Sequence, residues 1–355
     1  MARPLVGVIT NPNSKKNRLN PARYEAMRET VGDLGIVRRT QDTAEIAGVV
    51  RAFLDAGIPY WVADGGDGAF HWLTNVAQQV LAERGGKDTA PAIMPTNAGT
   101  IDFVGRKCGV IGDSDGLLRA LCATLRAGQQ PGICTIDSLR VRGVYGPDSD
   151  WPGRTFDKLG FALALAGIGQ RFFDKFYAHE NQGVTGILEV VGGILFSATM
   201  QAPGLRKVPL PVELRHYSDT VFEPLPADVW IDGEKLPMRD YRAINVGSID
   251  LNLAGVFRIF PFAREGGVLH VMAGDPSVNE VIRNLPRLAS GRKMVMETFV
   301  ERAAQSLRVV ALDGKRIDPC IDGELFYGLT EADVTLGPPV RVVQMNVHHA
   351  PTDRA

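Results

Sequence analysis

The 355-residue chain sets 39 Lys and Arg against 40 Asp and Glu, a formal net charge of -1, with 45% hydrophobic and 22% charged residues. That balance argues against a nucleic-acid partner and against a disordered chain. The length exceeds what one hydrophobic core comfortably serves, so about two domains are expected.

Cys108, Cys122, Cys134 and Cys320 form no CxxC pair and suit reduced thiols better than a disulfide framework or a metal site. Met1 to Val8 has one Arg and an apolar run only as long as a strand, so neither a signal peptide nor a membrane span is expected there. Gly183 to Ala202, the most apolar later stretch, carries Glu189 and reads as a buried helix or strand. A cytoplasmic protein is the expectation.

Leu5 to Thr10 reads as a strand running into Asn11-Pro12-Asn13-Ser14-Lys15-Lys16-Asn17-Arg18, a polar loop at a carboxyl end, where open parallel sheets bind ligands. A solvated connector is the alternative. Asn20 and Pro21 suit the N-cap and first turn of a helix reaching Leu34. Ile36-Val37 is a short strand, and Asp42 or Thr43 caps a helix whose Ile46, Val49, Val50, Phe53 and Leu54 form one face before Gly57.

Ile58 to Ala63 is the next strand. It ends in Asp64-Gly65-Gly66-Asp67-Gly68, after which Phe70, Leu73, Ala77, Val80 and Leu81 recur at helical spacing. Glycines between a strand and a helix let the backbone approach a ligand, and the first helical amides lie at the positive end of the dipole: a phosphate cradle. Asp64 and Asp67 would repel a phosphate there unless a divalent cation lay between, which points to a Mg-nucleotide. A tight turn in which Asp64 or Asp67 caps the helix is the plainer alternative. Pro91 to Met94 is a further buried strand, followed by Pro95-Thr96-Asn97-Ala98-Gly99-Thr100-Ile101-Asp102-Phe103; Asp113 and Ser114 cap a helix ending at Gly128. Strand and helix alternate, so a right-handed, parallel, Rossmann-like α/β layer is expected, with Asn11/Ser14, Gly65 to Gly68 and Gly99/Thr100/Asp102 at one sheet edge.

Beyond Pro131 short β-rich runs dominate: Asp137 to Val144, Asp228 to Ile231, Tyr241 to Val246, Val268 to Met272, Lys293 to Val300, Leu307 to Leu312 and Val340 to Asn346. Only Gly183 to Met200 and Val278 to Leu285 look partly helical, which predicts a mainly antiparallel β-sandwich or split barrel with a lid-like insertion. Asp232-Gly233-Glu234 and Asp322-Gly323-Glu324 both suit hairpin turns. The first reads as a solvated turn. The second lies between Pro319-Cys320-Ile321 and Leu325-Phe326, an apolar setting of the kind that raises a carboxylate's pKa and suits it to take a proton from an alcohol.

Asn11-Pro12-Asn13-Ser14, Gly65-Gly66-Asp67-Gly68, Pro95 with Gly99-Thr100 and Asp102-Phe103, and Asp322-Gly323-Glu324 together resemble the ordered signature of the diacylglycerol kinase catalytic family, which includes bacterial soluble lipid kinases and the sphingosine and ceramide kinases. The likeness also takes in Gly160-Phe161 through Gly169 and Asn245-Val246-Gly247 through Gly267. It implies a nucleotide-binding kinase domain over residues 1–131, completed by 335–349, and a β-rich lipid-substrate domain over 132–334.

By the same resemblance, Asn11, Ser14, Gly65, Gly66, Gly68, Gly99 and Thr100 would contact ATP. Asp67 and Asp102 would belong to the Mg2+ and water network, and Glu324 would be the base on an acyl-glycerol hydroxyl. The chain departs from the pattern at Ala69, where Thr is common, at Lys15-Lys16 after the first Ser, and at Ile101-Asp102 in a longer third loop.

The expectation is an ATP- and Mg2+-dependent lipid kinase for diacylglycerol or a related lipid. A kinase for a soluble substrate such as NAD, and a catalytically degenerate nucleotide or lipid binder that regulates a partner, are the alternatives. Arg283, Arg287, Arg292 and Lys293 near Leu285, Leu288 and Met294 suit either transient contact with an anionic membrane surface or a solvated helix face. Phe172, Phe173, Phe176 and Tyr177 suit an acyl pocket or plain core. No nucleic acid is expected, and a homodimer is left open.

Overall fold

A computed structural model describes residues 3–12, 14–86, 88–99, 101–178, 184–201, 204–205, 207–253 and 257–347. The chain divides into two compact units, Met1–Ile136 with Pro339–Ala355, and Asp137–Pro338. The first unit runs β1 (Val6–Thr10), α1 (Lys15–Leu19), α2 (Arg23–Val31), β2 (Gly35–Arg39), α3 (Thr43–Asp55), β3 (Tyr60–Asp64), α4 (Asp67–Glu83), β4 (Ala92–Pro95), α5 (Phe103–Lys107), α6 (Ser114–Arg126) and β5 (Gly132–Ile136). The second begins with β6 (Leu139–Tyr145), β7 (Thr155–Gly160), β8 (Ala162–Gly167), α7 (Ile168–Ala178), α8 (Val184–Met200), α9 (Val212–Arg215) and α10 (Tyr217–Val221). It continues through β9 (Leu225–Ile231), β10 (Glu234–Lys235), β11 (Asp240–Tyr241), β12 (Ala243–Gly247), β13 (Leu251–Leu253), β14 (Phe257–Ile259), β15 (Leu269–Gly274) and α11 (Val278–Ala289). It closes with β16 (Phe299–Ala304), β17 (Ser306–Ala311), β18 (Cys320–Ile321), β19 (Glu324–Leu325) and β20 (Leu329–Leu336), after which β21 (Val340–Gln344) joins the first unit.

The first sheet has the order β2-β1-β3-β4-β21-β5. Its pairs are parallel from β2 to β21, and only β5 runs antiparallel, against β21. Every residue of β1 is buried, as expected of a strand covered on both faces. α3 packs on α4 and α2 on α6, and Val50, Phe53, Phe70, Leu73, Leu117 and Leu121 are buried from those helices. The Asp42 carboxylate accepts the Glu45 amide at 2.8 Å and starts α3, and Asp113 accepts the Asp115 and Gly116 amides at the start of α6. The sequence places both caps at these positions.

In the second unit, one sheet has the order β10-β9-β17-β20-β6-β7, with β11 added to β9, and another the order β16-β15-β12-β8-β18-β19. Both are antiparallel throughout. Along β9 buried and half-buried residues alternate, and the inward residues join one core drawn from both sheets: Val141, Val229, Val309 and Val334 from the first, Leu163, Val246 and Val271 from the second. This is a β-sandwich.

Four local expectations are corrected. Asn20 to Leu34 is not one helix: α2 starts at Arg23, its N-cap Ala22 makes no side-chain bond, and a 3-10 turn at Gly32–Leu34 ends it. The short α5 opens at Phe103 at the end of the third loop, and α7 begins at Ile168 directly after β8 with no loop between them; the sequence pattern singles out neither as a helix. Finally, Lys293 to Val300 is not a strand until Phe299, because its amides bond elsewhere. Met294 N–H donates to Glu301 Oε2 at 2.5 Å, Val295 N–H to Asn284 Oδ1 at 2.9 Å, and Glu297 N–H to Glu280 Oε1 at 3.1 Å. Side chains of α11 and β16 thus satisfy backbone groups that a ladder would otherwise use.

Candidate active site

β1 lies between β2 and β3, so the direction of strand addition reverses at the β1/β3 boundary. Open α/β sheets bind ligands outside the strand carboxyl ends at such a switch point. The loops that leave β1 and β3 there carry Asn11, Ser14 and Gly65 to Gly68, and the loop after β4 brings Gly99 and Asp102. Thr100 lies outside the described residues.

Asp64, at the end of β3, is 2% exposed and faces Arg23, itself 4% exposed. Arg23 donates to both carboxylate oxygens, at 2.8 and 2.6 Å, and through Nε to Asp115 at 2.8 Å. The Thr10 hydroxyl donates to Asp64 at 2.5 Å, and Asn17 Nδ2 donates to Thr10 at 2.8 Å and to the Asn11 carbonyl at 2.7 Å. Burial alone would raise the Asp64 pKa. The bonds and charge of Arg23, with those from Thr10 and Asn17, outweigh it and hold the carboxyl below the usual range.

The cation beside Asp64 is therefore a guanidinium, which corrects the expectation that Asp64 needs a divalent metal. This cluster fixes the ends of β1 and β3 and the start of α2. No local pattern announces Arg23; Thr10 and Thr96, polar residues at strand ends, were the available signal.

The second and third loops meet backbone to backbone. A Cβ on Gly66 would lie 2.4 Å from Gly99 Cα, and one on Gly99 would lie 2.6 Å from Gly66 Cα, so neither position has room for a side chain. Gly65 N–H donates to Thr96 Oγ1 at 3.1 Å, and Ala98 N–H to the Gly65 carbonyl at 3.3 Å. Gly66 is the N-cap of the 17-residue α4 and no side chain caps that helix, with Gly68 in its first turn. The first amides of α4 thus lie at the positive end of a helix dipole that no side chain caps at Gly66.

Asp67 receives the Phe103 and Val104 amides at 3.2 and 3.4 Å and so anchors α5. Asp102 takes a left-handed φ of 52°, and its Oδ1 receives the Gly99 amide at 3.0 Å. Both carboxylates thus adjoin the Gly66–Gly99 contact. Ser14 N–H donates to the Asn11 carbonyl at 3.1 Å, and Ser14 Oγ accepts the Asn17 amide at 3.4 Å. The structure gathers Asn11, Ser14, Gly65, Gly66, Asp67, Gly68, Gly99 and Asp102 within the first unit.

Glu324 belongs to the second unit. Ile321 pairs with Glu324 across a two-residue turn in which Asp322 has φ 54° and Gly323 φ 90°, the primed geometry that tightens hairpins. Asp322 Oδ1 accepts the Phe161 and Ala162 amides at 2.8 and 2.9 Å. A Cβ on Gly323 would lie 2.5 Å from Tyr177 Oη, so α7 braces the turn, a contact the sequence did not suggest.

The Asp232 turn is built the same way, with Oδ1 accepting the Gln305 and Ser306 amides at 2.8 Å each. The difference lies in the glutamate: Glu234 is 70% exposed and pairs with Arg302 at 3.0 Å, whereas Glu324 is half-buried. Phe176 is core, packed with Ile187 and Val190, and Phe172 and Phe173 pack on that cluster. Burial pushes the Cys320 thiol up, and Cys108, Cys122 and Cys134 are free as well.

No family model matches the sequence, and no curated protein does. Solved structures do. A candidate diacylglycerol kinase from Bacillus anthracis str. Sterne superposes with a TM-score of 0.61 at 13% identity, over 96% of this chain and 97% of that one. The chain has the diacylglycerol kinase fold. A further diacylglycerol kinase structure from the same organism gives a TM-score of 0.56 at 12% identity, over 96% of this chain and 97% of that one. Yeast NADH kinase complexed with NADH gives 0.50 at 10% identity, over 97% of this chain and 84% of the other. At such identities the likeness is one of fold, and the diacylglycerol kinase fold includes both the α/β layer and the β-sandwich described above.

Proposed function

We propose that this protein is a phosphotransferase that moves the γ-phosphate of ATP to the hydroxyl of a lipid, diacylglycerol or a close relative. The observation that carries the reading is the side-chain-free contact between Gly66 and Gly99 at the switch point, with Asp67 and Asp102 beside it.

The donor set fits a nucleotide and Mg2+. The N-terminus of α4 and the Gly65 to Gly68 backbone suit phosphate oxygens, with Asn11 and Ser14 at the β1 end and Thr100, by resemblance, on the third loop. Among the described residues no group of three His, Cys, Asp or Glu could hold a metal by itself. Mg2+ characteristically takes one or two carboxylates and completes its shell with phosphate oxygens and water, and Asp67 and Asp102 supply that pair. When bound, the ion neutralises phosphate charge. The protein's own contribution is to orient the phosphates through backbone amides and to hold two carboxylates rigid by bonds from Phe103, Val104 and Gly99.

Glu324 is the proposed proton acceptor, its Oε taking the proton of the attacking alcohol, on a turn anchored by Asp322. The likeness to yeast NADH kinase supports a second reading, a kinase whose acceptor is a soluble dinucleotide. Labelled ATP with Mg2+ and a panel of mixed-micelle lipids and NAD separates the two. Label on a lipid supports the first reading and label on NAD alone the second. Binding of ATP with no transfer to either leaves a regulatory binder.

A further inference from the structure

Two of the cysteines meet within the first unit. Cys108 is the C-cap of α5, and Cys134 is the middle residue of β5. The Gln344 side chain fixes their relation. Gln344 on β21 sits opposite Gly132, and a Cβ on Gly132 would lie 3.2 Å from Gln344 Oε1 and 3.5 Å from Gln344 Cβ. Both therefore point to one face of the sheet, and Cys134, two residues along β5 from Gly132, points to the same face. There Gln344 Nε2 donates to the Cys108 carbonyl at 3.0 Å. The end of α5 and the Cys134 side chain thus share that face, and the two thiols hydrogen-bond to each other.

The remaining cysteines stand in other surroundings. Cys122 is on the buried face of α6 with Arg126 as its charged neighbour, and Cys320 belongs to the second unit. Within the pair, Cys108 is 1% exposed and Cys134 only half-buried. Burial first, and then the Cys134 sulfur, pushes the Cys108 thiol up, with Lys107 offsetting part of the rise. Cys134 is accordingly the sulfur that a dissolved oxidant reaches first, and Cys108 the one that resolves the adduct.

We propose that Cys108 and Cys134 form a reversible disulfide, and that closing it loosens the nucleotide site. The oxidant is a low-molecular-weight disulfide such as glutathione disulfide. The Cys134 thiolate attacks one of its sulfurs, the S–S bond breaks and one glutathione leaves as thiolate. The Cys108 sulfur then attacks Cys134 and displaces the second glutathione. The two protein thiols lose two electrons and two protons, and the small disulfide takes up both to become two thiols. Excess small thiol reverses the exchange.

A sulfur–sulfur bond is about 2.05 Å long, shorter than a thiol hydrogen bond, so one partner must move. β5 is held by five residue pairs with β21. α5 has only five residues, and its Phe103 and Val104 amides are bonded to Asp67. The helix moves rather than the strand, and the displacement reaches Asp67 and Asp102 beside the Gly66–Gly99 contact. This effect on the site rests on the phosphotransfer reading; the disulfide itself does not.

The test holds the reduced full chain with glutathione disulfide under native conditions, blocks residual thiols with iodoacetamide and digests with trypsin. Cleavage after Lys107, Arg119, Arg126 and Arg140 puts Cys108 in peptide 108–119, Cys122 in 120–126 and Cys134 in 127–140. Peptides 108–119 and 127–140 should be linked until dithiothreitol is added, and the oxidised chain should bind ATP about tenfold more weakly, or worse, by calorimetry. Cys134→Ser should form no link and keep its ATP affinity through the same treatment. No link in the wild type, a link through Cys122 or Cys320, or a glutathione adduct on Cys134 that Cys108 never displaces would overturn the disulfide. A complete link with unchanged ATP affinity would overturn its effect on the site. Reduced wild type that binds no ATP would overturn the phosphotransfer reading and that effect with it, while the peptide map still decides the disulfide.

Discussion

Asp64 and Asp67 stand two glycines apart and do different work. Asp64 is enclosed with Arg23, and removing one member of a buried ion pair strands the other, at a cost of about 3–5 kcal/mol. Asp64→Asn should therefore lower unfolding stability by that order in denaturant titration. Because the folded carboxyl titrates below its unfolded value, the contribution is fully present above the unfolded pKa of about 4 and is lost as pH falls through the folded value. The gap between wild type and Asp64→Asn should accordingly close on acidification, and a constant gap would contradict the assignment. Asp67, in contrast, anchors α5 beside the glycine contact. Gly66→Ala forces a Cβ to 2.4 Å from Gly99 Cα and should weaken ATP binding at least about tenfold by calorimetry, since the cradle depends on backbone approach. Arg23 was invisible to sequence reasoning because its partner lies 41 residues away and nothing in a helix-start pattern marks a buried guanidinium. The glycines were visible as a cluster between strand and helix, and what requires them at Gly66 and Gly99 is the space that a Cβ would fill.

At the scale of elements, the strands and long helices of the first unit were legible from periodicity and caps: Asp42, Gly57, Asp113 and Gly128 act as punctuation where the sequence puts them. The failures are places where side chains replace backbone partners. Residues 293–298 have β-like composition, yet Asn284, Glu280 and Glu301 take their amides. Asn284→Ala should thus speed amide exchange at Val295 by about tenfold or more while leaving β15 protected, as read by hydrogen-exchange mass spectrometry; unchanged exchange would mean that the bond contributes no protection. The two Asp-Gly-Glu turns make the complementary point. Their local sequence and backbone construction match, and what separates them is burial of the glutamate, which depends on the surrounding sandwich. The flanking apolar residues of Asp322-Gly323-Glu324 were a sufficient clue to that difference. The bracing of Gly323 by Tyr177 was not, because α7 does not announce itself as a helix.

On the scale of the whole molecule, a mixed α/β unit and an antiparallel sandwich make up one fold shared with diacylglycerol kinases at 12–13% identity. Within this sequence the glycines, turn residues and a few carboxylates are the most readable positions, since burial tolerates many apolar exchanges but a side-chain-free contact does not. The fold class was legible for that reason. Substrate choice depends on surfaces that no motif encodes, and among the described residues no helix is long and apolar enough to cross a membrane. The most direct test of the central claim is transfer of labelled γ-phosphate from ATP with Mg2+ to diacylglycerol in mixed micelles, by wild type, Asp67→Asn and Glu324→Gln. The account predicts a labelled lipid with wild type and a loss of at least about 100-fold in each variant, the range expected when a phosphate-site carboxylate or a general base is removed. Full transfer by either variant, or no lipid labelling by wild type across the micelle panel, would contradict it.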